Sequence, residues 1–208
     1  TFELIGVVKT PTTHNSRQGV AEGIVQALQR IMEDCHINPD DVVFIAHGTT
    51  QATNALLEGD VAPVGIVTLG SGLQGAKSRS DTNISNIELA AGKFLESQNE
   101  YVDTSDKDSL GSRIVDAIRT LRERGTSSIV AAEAFSVDDP YHENLALEKC
   151  KEMNIPGTAT NEISKLYGLK IRTRTAVVNA SIMPKMLEAA TMTETSIIEA
   201  CLLYTSPS

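Results

Sequence analysis

Apolar and polar positions along the chain follow two different periods. Val20, Ile24, Leu28, Ile31 and Cys35 recur every three or four residues, which predicts an amphipathic helix that ends before Asn38-Pro39. Leu110, Ile114, Ile118 and Leu121 repeat the pattern and predict a second long helix that stops at Gly125. Around and between these lie short apolar runs: Phe2 to Lys9, Val42 to Ala46, Pro63 to Leu69 and Ile129 to Phe135. Each has the length of a buried strand. Thr50 to Glu58 reads as a short helix, and Pro140 opens another that runs to about Met153. Strands alternating with helices imply an α/β fold whose sheet is largely parallel where a helix makes the crossover. Residues Gly70 to Asn99 show neither period, so an irregular polar loop or small excursion is expected there.

The densest chemistry lies where the second apolar run meets the short helix. Ile45-Ala46-His47-Gly48-Thr49-Thr50 leaves the strand, and Gln51-Ala52-Thr53-Asn54-Ala55-Leu56-Leu57 enters the helix. In an α/β sheet, ligands bind outside the carboxyl ends of the strands. An imidazole, three hydroxyls, an amide and helix-terminal N–H groups gathered there suit an oxyanion, a carbonyl or a phosphate. The same residues also suit a capped helix with a packed histidine, and composition leaves both readings open.

Gly70-Ser71-Gly72-Leu73-Gln74-Gly75 matches a dinucleotide fingerprint after a strand. That fingerprint needs a helix next, and Ala76-Lys77-Ser78-Arg79-Ser80-Asp81 offers no apolar face for one. A strand-end loop is expected instead, with Lys77 and Arg79 able to reach an anion. Glu133 interrupts an otherwise apolar strand, where a carboxylate is costly unless paired or facing a cleft. It is expected to pair with Arg172 or Arg174, or else to line the active site. His142, beside Pro140, is expected at a helix start, capping or exposed, and His14 and His36 in loops. No Gly-x-Ser-x-Gly elbow supports a serine hydrolase.

Composition narrows the classes of partner. The 208 residues carry 18 basic and 27 acidic side chains, a net charge of −9, which argues against a nucleic-acid surface. No apolar run approaches the ~20 residues of a membrane-spanning helix. Of the three cysteines, Cys35 and Cys150 fall near helix ends and have no metal-site spacing. Reduced structural thiols and a cytoplasmic location are the simplest account.

Four segments in order carry a family likeness. They are Val7-Val8-Lys9-Thr10-Pro11-Thr12-Thr13 with Gly19-Val20 and Gly23-Ile24; the Ile45 to Glu58 stretch; Asp139-Pro140-Tyr141-His142-Glu143; and Arg174-Thr175-Ala176-Val177-Val178-Asn179-Ala180. Together they resemble the amino-terminal region of the hydantoinase A, 5-oxoprolinase and acetone carboxylase β-subunit family. The stretch from Gly70 to Asp106 matches poorly, with Gly75-Ala76-Lys77-Ser78-Arg79 where relatives have an aromatic-rich loop.

The resemblance implies a partial actin-like (ribonuclease H-like) ATPase fold. It implies ATP and Mg²⁺ as cofactors and a substrate carbonyl or carboxylate oxygen that is phosphorylated before a cyclic amide ring opens. A ketone carboxylase subunit is the alternative within the family, and a non-catalytic actin-like or sugar-kinase-like module the alternative outside it. A hydantoinase B-like subunit is the implied partner. His47, Thr49 and Thr50 are the expected catalytic groups, Asn54 and Arg79 the expected substrate contacts, and no metal ligand is assigned. The expected division is 1–170 for the amino-terminal domain with its start missing, 171–200 for the beginning of the hydantoinase A domain, and 201–208 for a tail. That tail, Cys201 to Ser208, matches in register the translation of a transposase adapter used in sequencing libraries. It is therefore expected to add neither strand nor core. The family's phosphate-binding turns are expected upstream of Phe2 and beyond residue 200.

Overall fold

The computed structural model describes residues 3–11, 20–44 and 50–205, without the side chains of 20, 21, 197 and 199–205. The chain divides into two compact units, Thr50–Lys185 and Thr1–Thr49 with Met186–Ser208. In the smaller unit, helix α1 (Val20–Asp34) is followed by a 3-10 turn at Pro39–Asp41, capped by the Asn38 side chain. The strand expected at Phe2 to Lys9 does not form, since residues 3–11 have no regular structure. They lie along α1 instead: the Cys35 thiol donates to the Ile5 carbonyl, and the Thr10 hydroxyl to that of Gly23. Residues 42–44 are likewise not strand, and Ile45 and Ala46 lie outside the described residues. The physical reason is shared. A strand needs a ladder partner, and among the described residues neither segment has one, so Ile5, Val7, Val43 and Phe44 stay exposed.

The larger unit follows the alternation closely. Helix α2 (Gln51–Glu58) leads to strand β1 (Val64–Gly70), then α3 (Gly72–Thr82), β2 (Ile87–Ala90), β3 (Lys93–Leu95) and β4 (Ser97–Asp103). Helix α4 (Leu110–Glu123), strand β5 (Ser128–Glu133), helix α5 (Tyr141–Glu152), strand β6 (Gly157–Ala159), helix α6 (Thr160–Ile163) and the part of helix α7 (Leu169–Thr205) up to Lys185 complete it. One sheet has the order β4-β1-β5-β6 with every neighbouring pair parallel. The β2-β3 hairpin is antiparallel. The expectation of an α/β fold thus holds. Strand β1 is buried on both faces, as a central parallel strand must be.

Side-chain alternation along β1 and β5 separates two cores. Val67, Leu69, Ile129 and Ala131 face α4 and α5, where Leu110, Ile114, Ile118 and Leu121 are all buried. Val64, Ile66, Val130 and Ala132 face the other way, onto Leu169, Ala176, Val177 and Ala180 of α7.

The region expected as an irregular loop or small excursion, Gly70 to Asn99, is mostly helix and strand, and α3 is its informative part. Its buried face is made of Gly75, Ser78 and Thr82, small or hydroxylated residues invisible to a hydrophobic period. Hydroxyls replace hydrocarbon there. Thr68 and Thr82 share a 2.6 Å bond, Asn99 bridges both, and the Ala134 amide donates to the Ser78 hydroxyl. Burial of these groups is tolerated because each is satisfied. Gly75 is needed for the approach itself: a Cβ there would strike the Tyr101 hydroxyl and stand 3.0 Å from the Gly70 carbonyl carbon. The backbone of α7 is helical to Thr205, and the side chains of Leu203 and Tyr204 lie outside those described.

Candidate functional site

Topology locates the crevice before any side chain does. Strand β1 is connected onward to β4 on one side of it, whereas β5 is connected onward to β6 on the other. The first connection begins with α3, which meets the face of Thr68, and the second is α5 on the opposite face. Adjacent strands whose connections leave in opposite directions form a switch point, and ligands of open α/β sheets bind outside the carboxyl ends there. In this chain the ends are Gly70 and Glu133, with Leu69 and Glu133 in register.

Helix α5 supplies two side chains with contrasting roles at this edge. Glu143 is fully buried. Its carboxylate accepts from the Glu133 amide at 2.8 Å, the Thr160 hydroxyl at 2.7 Å, the Asn161 amide at 3.0 Å and the Asn161 side chain. Those donors lie where the β5-β6 ladder has ended at Ala131 and Ala159. Glu143 thus replaces the missing strand partners. Arg172 on α7, also fully buried, completes the set. Its guanidinium donates to the carbonyls of Leu166 and Glu133, both at 2.8 Å, to the Ser136 hydroxyl at 3.0 Å and to the Thr160 hydroxyl at 3.3 Å.

His142 points its Nδ1 at the Glu133 carboxylate, 2.8 and 3.0 Å from the two oxygens. Their side chains keep 23% and 14% of their exposure, so the pair borders solvent without being immersed in it. Desolvation pushes the Glu133 carboxyl above its usual range, opposed by the bond to His142 and, whenever that ring is protonated, by its charge. The neighbouring carboxylates Glu143 and Asp139 reinforce the rise. Tyr141 meets the His142 ring edge-on, centroids 5.3 Å apart. Two expectations are corrected here. His142 neither caps α5 nor stands free, and Glu133 takes neither arginine on its carboxylate, Arg172 binding its main-chain carbonyl instead. A carboxylate at a strand end is reached most directly by the first turn of the next helix, which is where His142 sits.

Of the residues singled out from sequence, three lie among those described, two at the start of α2 and one on α3. His47 and Thr49 lie outside the described residues. Thr50 is at the N-cap of α2, exposed, and its side chain makes no capping bond. Asn54, one turn on and exposed, sends its amide to the Thr50 carbonyl at 3.0 Å. Arg79 is on α3 rather than a loop, its guanidinium 4.4 Å above the Tyr101 ring, so its structural partner is aromatic. Arg174 lines an open groove of about 440 Å³ with Ile87, Ile163, Val178 and Asn179. Sequence reasoning missed the His142–Glu133 pair. Its signal was a lone carboxylate ending an apolar strand, followed by a helix-opening Pro-x-His-Glu.

The fold has counterparts among solved structures. The ATP-dependent caprolactamase from Pseudomonas jessenii is similar over 92% of this chain, at 20% identity and a TM-score of 0.58. A nucleotide-free acetone carboxylase is similar over 89%, at 13% identity and a TM-score of 0.53. This chain spans 30% of the length of each. At such identities the likeness is one of fold. No curated protein matches the sequence. A family model, the hydantoinase/oxoprolinase N-terminal region, matches residues 1–154, from the segment along α1 through the helix that carries His142. With three-quarters of its length so matched, the chain belongs to the hydantoinase/oxoprolinase N-terminal region family.

Proposed function

We propose that this chain is part of an ATP-dependent enzyme that activates a cyclic amide carbonyl by phosphoryl transfer and then opens the ring. The match of residues 1–154 to the hydantoinase/oxoprolinase model carries the reading. The fold shared with an ATP-dependent caprolactamase supports it. The chemical logic is that an amide carbon is a poor electrophile. Transfer of the γ-phosphoryl group of ATP to the carbonyl oxygen releases ADP and leaves an O-phosphorylated ring. Water then adds to the carbon and the ring nitrogen departs, leaving an acyl phosphate. A second water yields the carboxylate and inorganic phosphate.

His47, Thr49 and Thr50 are assigned to the phosphate or carbonyl oxygen, with Asn54 and Arg79 toward the substrate. The Thr50 hydroxyl, exposed and without a capping bond, is available for such a contact. Magnesium is expected with ATP in phosphoryl transfer. Among the described residues no group of three or more His, Cys, Asp or Glu side chains could hold it, so no step is assigned to it here. No described helix is long and apolar enough to cross a membrane. A cytoplasmic enzyme working with a hydantoinase B-like subunit fits this reading.

The likeness to acetone carboxylase supports a second reading, a ketone carboxylase subunit. One experiment separates the readings. The enzyme carrying this chain is given ATP with 5-oxoproline, hydantoin or ε-caprolactam, and separately with acetone and bicarbonate, while ADP and organic products are followed. ADP release that depends on a cyclic amide and matches ring opening is the expected result. Release that depends on ketone and bicarbonate would support the carboxylase, and release with neither would leave a non-catalytic module.

A further inference from the structure

Three properties set the His142–Glu133 pair apart from the buried network beside it. The first is place: Glu133 ends β5 at the switch point, opposite Leu69 and next to the Gly70 turn. The second is saturation. Glu143 receives four donors and is sealed from solvent, whereas His142 keeps a partly open ring whose Nε2 has no partner among the described residues. The third is tautomer. An ionised carboxylate can only accept, so pairing with ionised Glu133 favours the tautomer with the hydrogen on Nδ1, which leaves Nε2 of a neutral ring with its lone pair. A carboxylate that fixes one ring nitrogen while the other keeps no partner among the described residues and the ring stays partly exposed is the arrangement of a positioned base.

We propose that His142, oriented by Glu133, is the proton carrier of ring opening, a role that rests on the cyclic-amide reading above. Nε2 takes a proton from the water whose oxygen bonds to the activated carbonyl carbon. As the carbon–nitrogen bond breaks, Nε2–H returns that proton to the departing ring nitrogen, and the remaining hydroxyl proton of the adduct passes to solvent as the acyl phosphate carbonyl forms. The imidazole ends as it began, and the product is a free amine and an acyl phosphate. Glu133 stays ionised and acts only as the positioning residue. Around the pair stand Glu143 on the same helix, Asp139 just before it, and Arg172 of α7 on the Glu133 carbonyl.

Two measurements test this. The first needs no substrate: nitrogen-15 spectra of the histidine rings in the 208-residue chain, with His142→Gln identifying the signal. A protonated Nδ1 and bare Nε2 for His142 are expected, and a protonated Nε2 overturns the proposal. The second follows ADP and ring-opened product in the enzyme carrying this chain. His142→Gln should cut ring opening by about 10²–10⁴-fold, the scale of general acid–base catalysis. Its first-turnover ADP and its melting temperature should be retained, and Glu133→Gln should show a smaller loss of the same kind. Ring opening within threefold of wild type in His142→Gln, or loss of its first-turnover ADP with melting unchanged, overturns the assignment while leaving the cyclic-amide reading standing. Wild-type enzyme without amide-dependent ADP release overturns that reading and this inference together.

Discussion

Glu133 and Glu143 stand ten residues apart, and one bonds the other's amide, yet the fold uses them in opposite ways. Glu143 is buried with its oxygens fully occupied, and its removal would leave the Glu133 and Asn161 amides and the Thr160 O–H without an acceptor. Each such orphan costs about 1–3 kcal/mol, so Glu143→Ala should lower unfolding stability by roughly 3 kcal/mol or more in a urea titration. A loss below ~1 kcal/mol would mean that water replaces the carboxylate without penalty. Cys150 gives a second test at this scale. Burial pushes its thiol up to about 12 from an ordinary 9.0, so the protonated form is the one the fold accepts. The stability tied to that thiol is fully present below 9.0 and is lost as pH rises through about 12. Since thiolate is the reactive form, alkylation of Cys150 at pH 9 should lag that of the half-buried Cys35 until the chain unfolds. Equal labelling rates would contradict this.

Helices α1, α4 and α5 were legible because each announces itself by a period of large apolar side chains or by a proline at its head. Helix α3 was not, and the reason is chemical rather than statistical. It packs on glycine and hydroxyls, so its buried face reads as polar in sequence while its energetics rest on satisfied hydrogen bonds and close approach. The Gly-x-Gly-x-x-Gly that opens it serves packing at Gly75. Gly75→Ala should therefore displace the Tyr101 hydroxyl from the Gly70 carbonyl and cost about 1–3 kcal/mol, as overpacking does. A variant as stable as wild type would show that α3 sits farther from β1. On the opposite face the core is hydrocarbon, and Ile114, fully buried, belongs to the ordinary case. Ile114→Ala should cost about 2–5 kcal/mol, read from the shift in denaturant midpoint at unchanged slope. Residues 3–9 and 42–44 form no strand although they carry the right side chains. A strand, however, is a property of a pair, and periodicity in one segment does not report whether a neighbour is present.

At the scale of the whole molecule, the alternating elements disclosed the class of fold, and the ordered motifs disclosed the family. The place of the candidate site was hidden, because it depends on strand order. Only with β1 and β5 side by side do Gly70 and Glu133 become the two lips of one crevice. The residues marked from sequence were chosen for donor density along the chain, whereas His142 and Glu133 become neighbours through the turn from β5 into α5. Ring opening of a cyclic amide at this crevice is what we propose. Hydrogen–deuterium exchange of the enzyme carrying this chain, with ADP and the cyclic amide that stimulates ADP release, compared with ADP alone, tests it most directly. The account predicts slowed exchange at Gly70 to Gly72 and at Glu133 to His142, with the amides of α4 unchanged. Protection confined to other segments, with both of these exchanging as before, would contradict it.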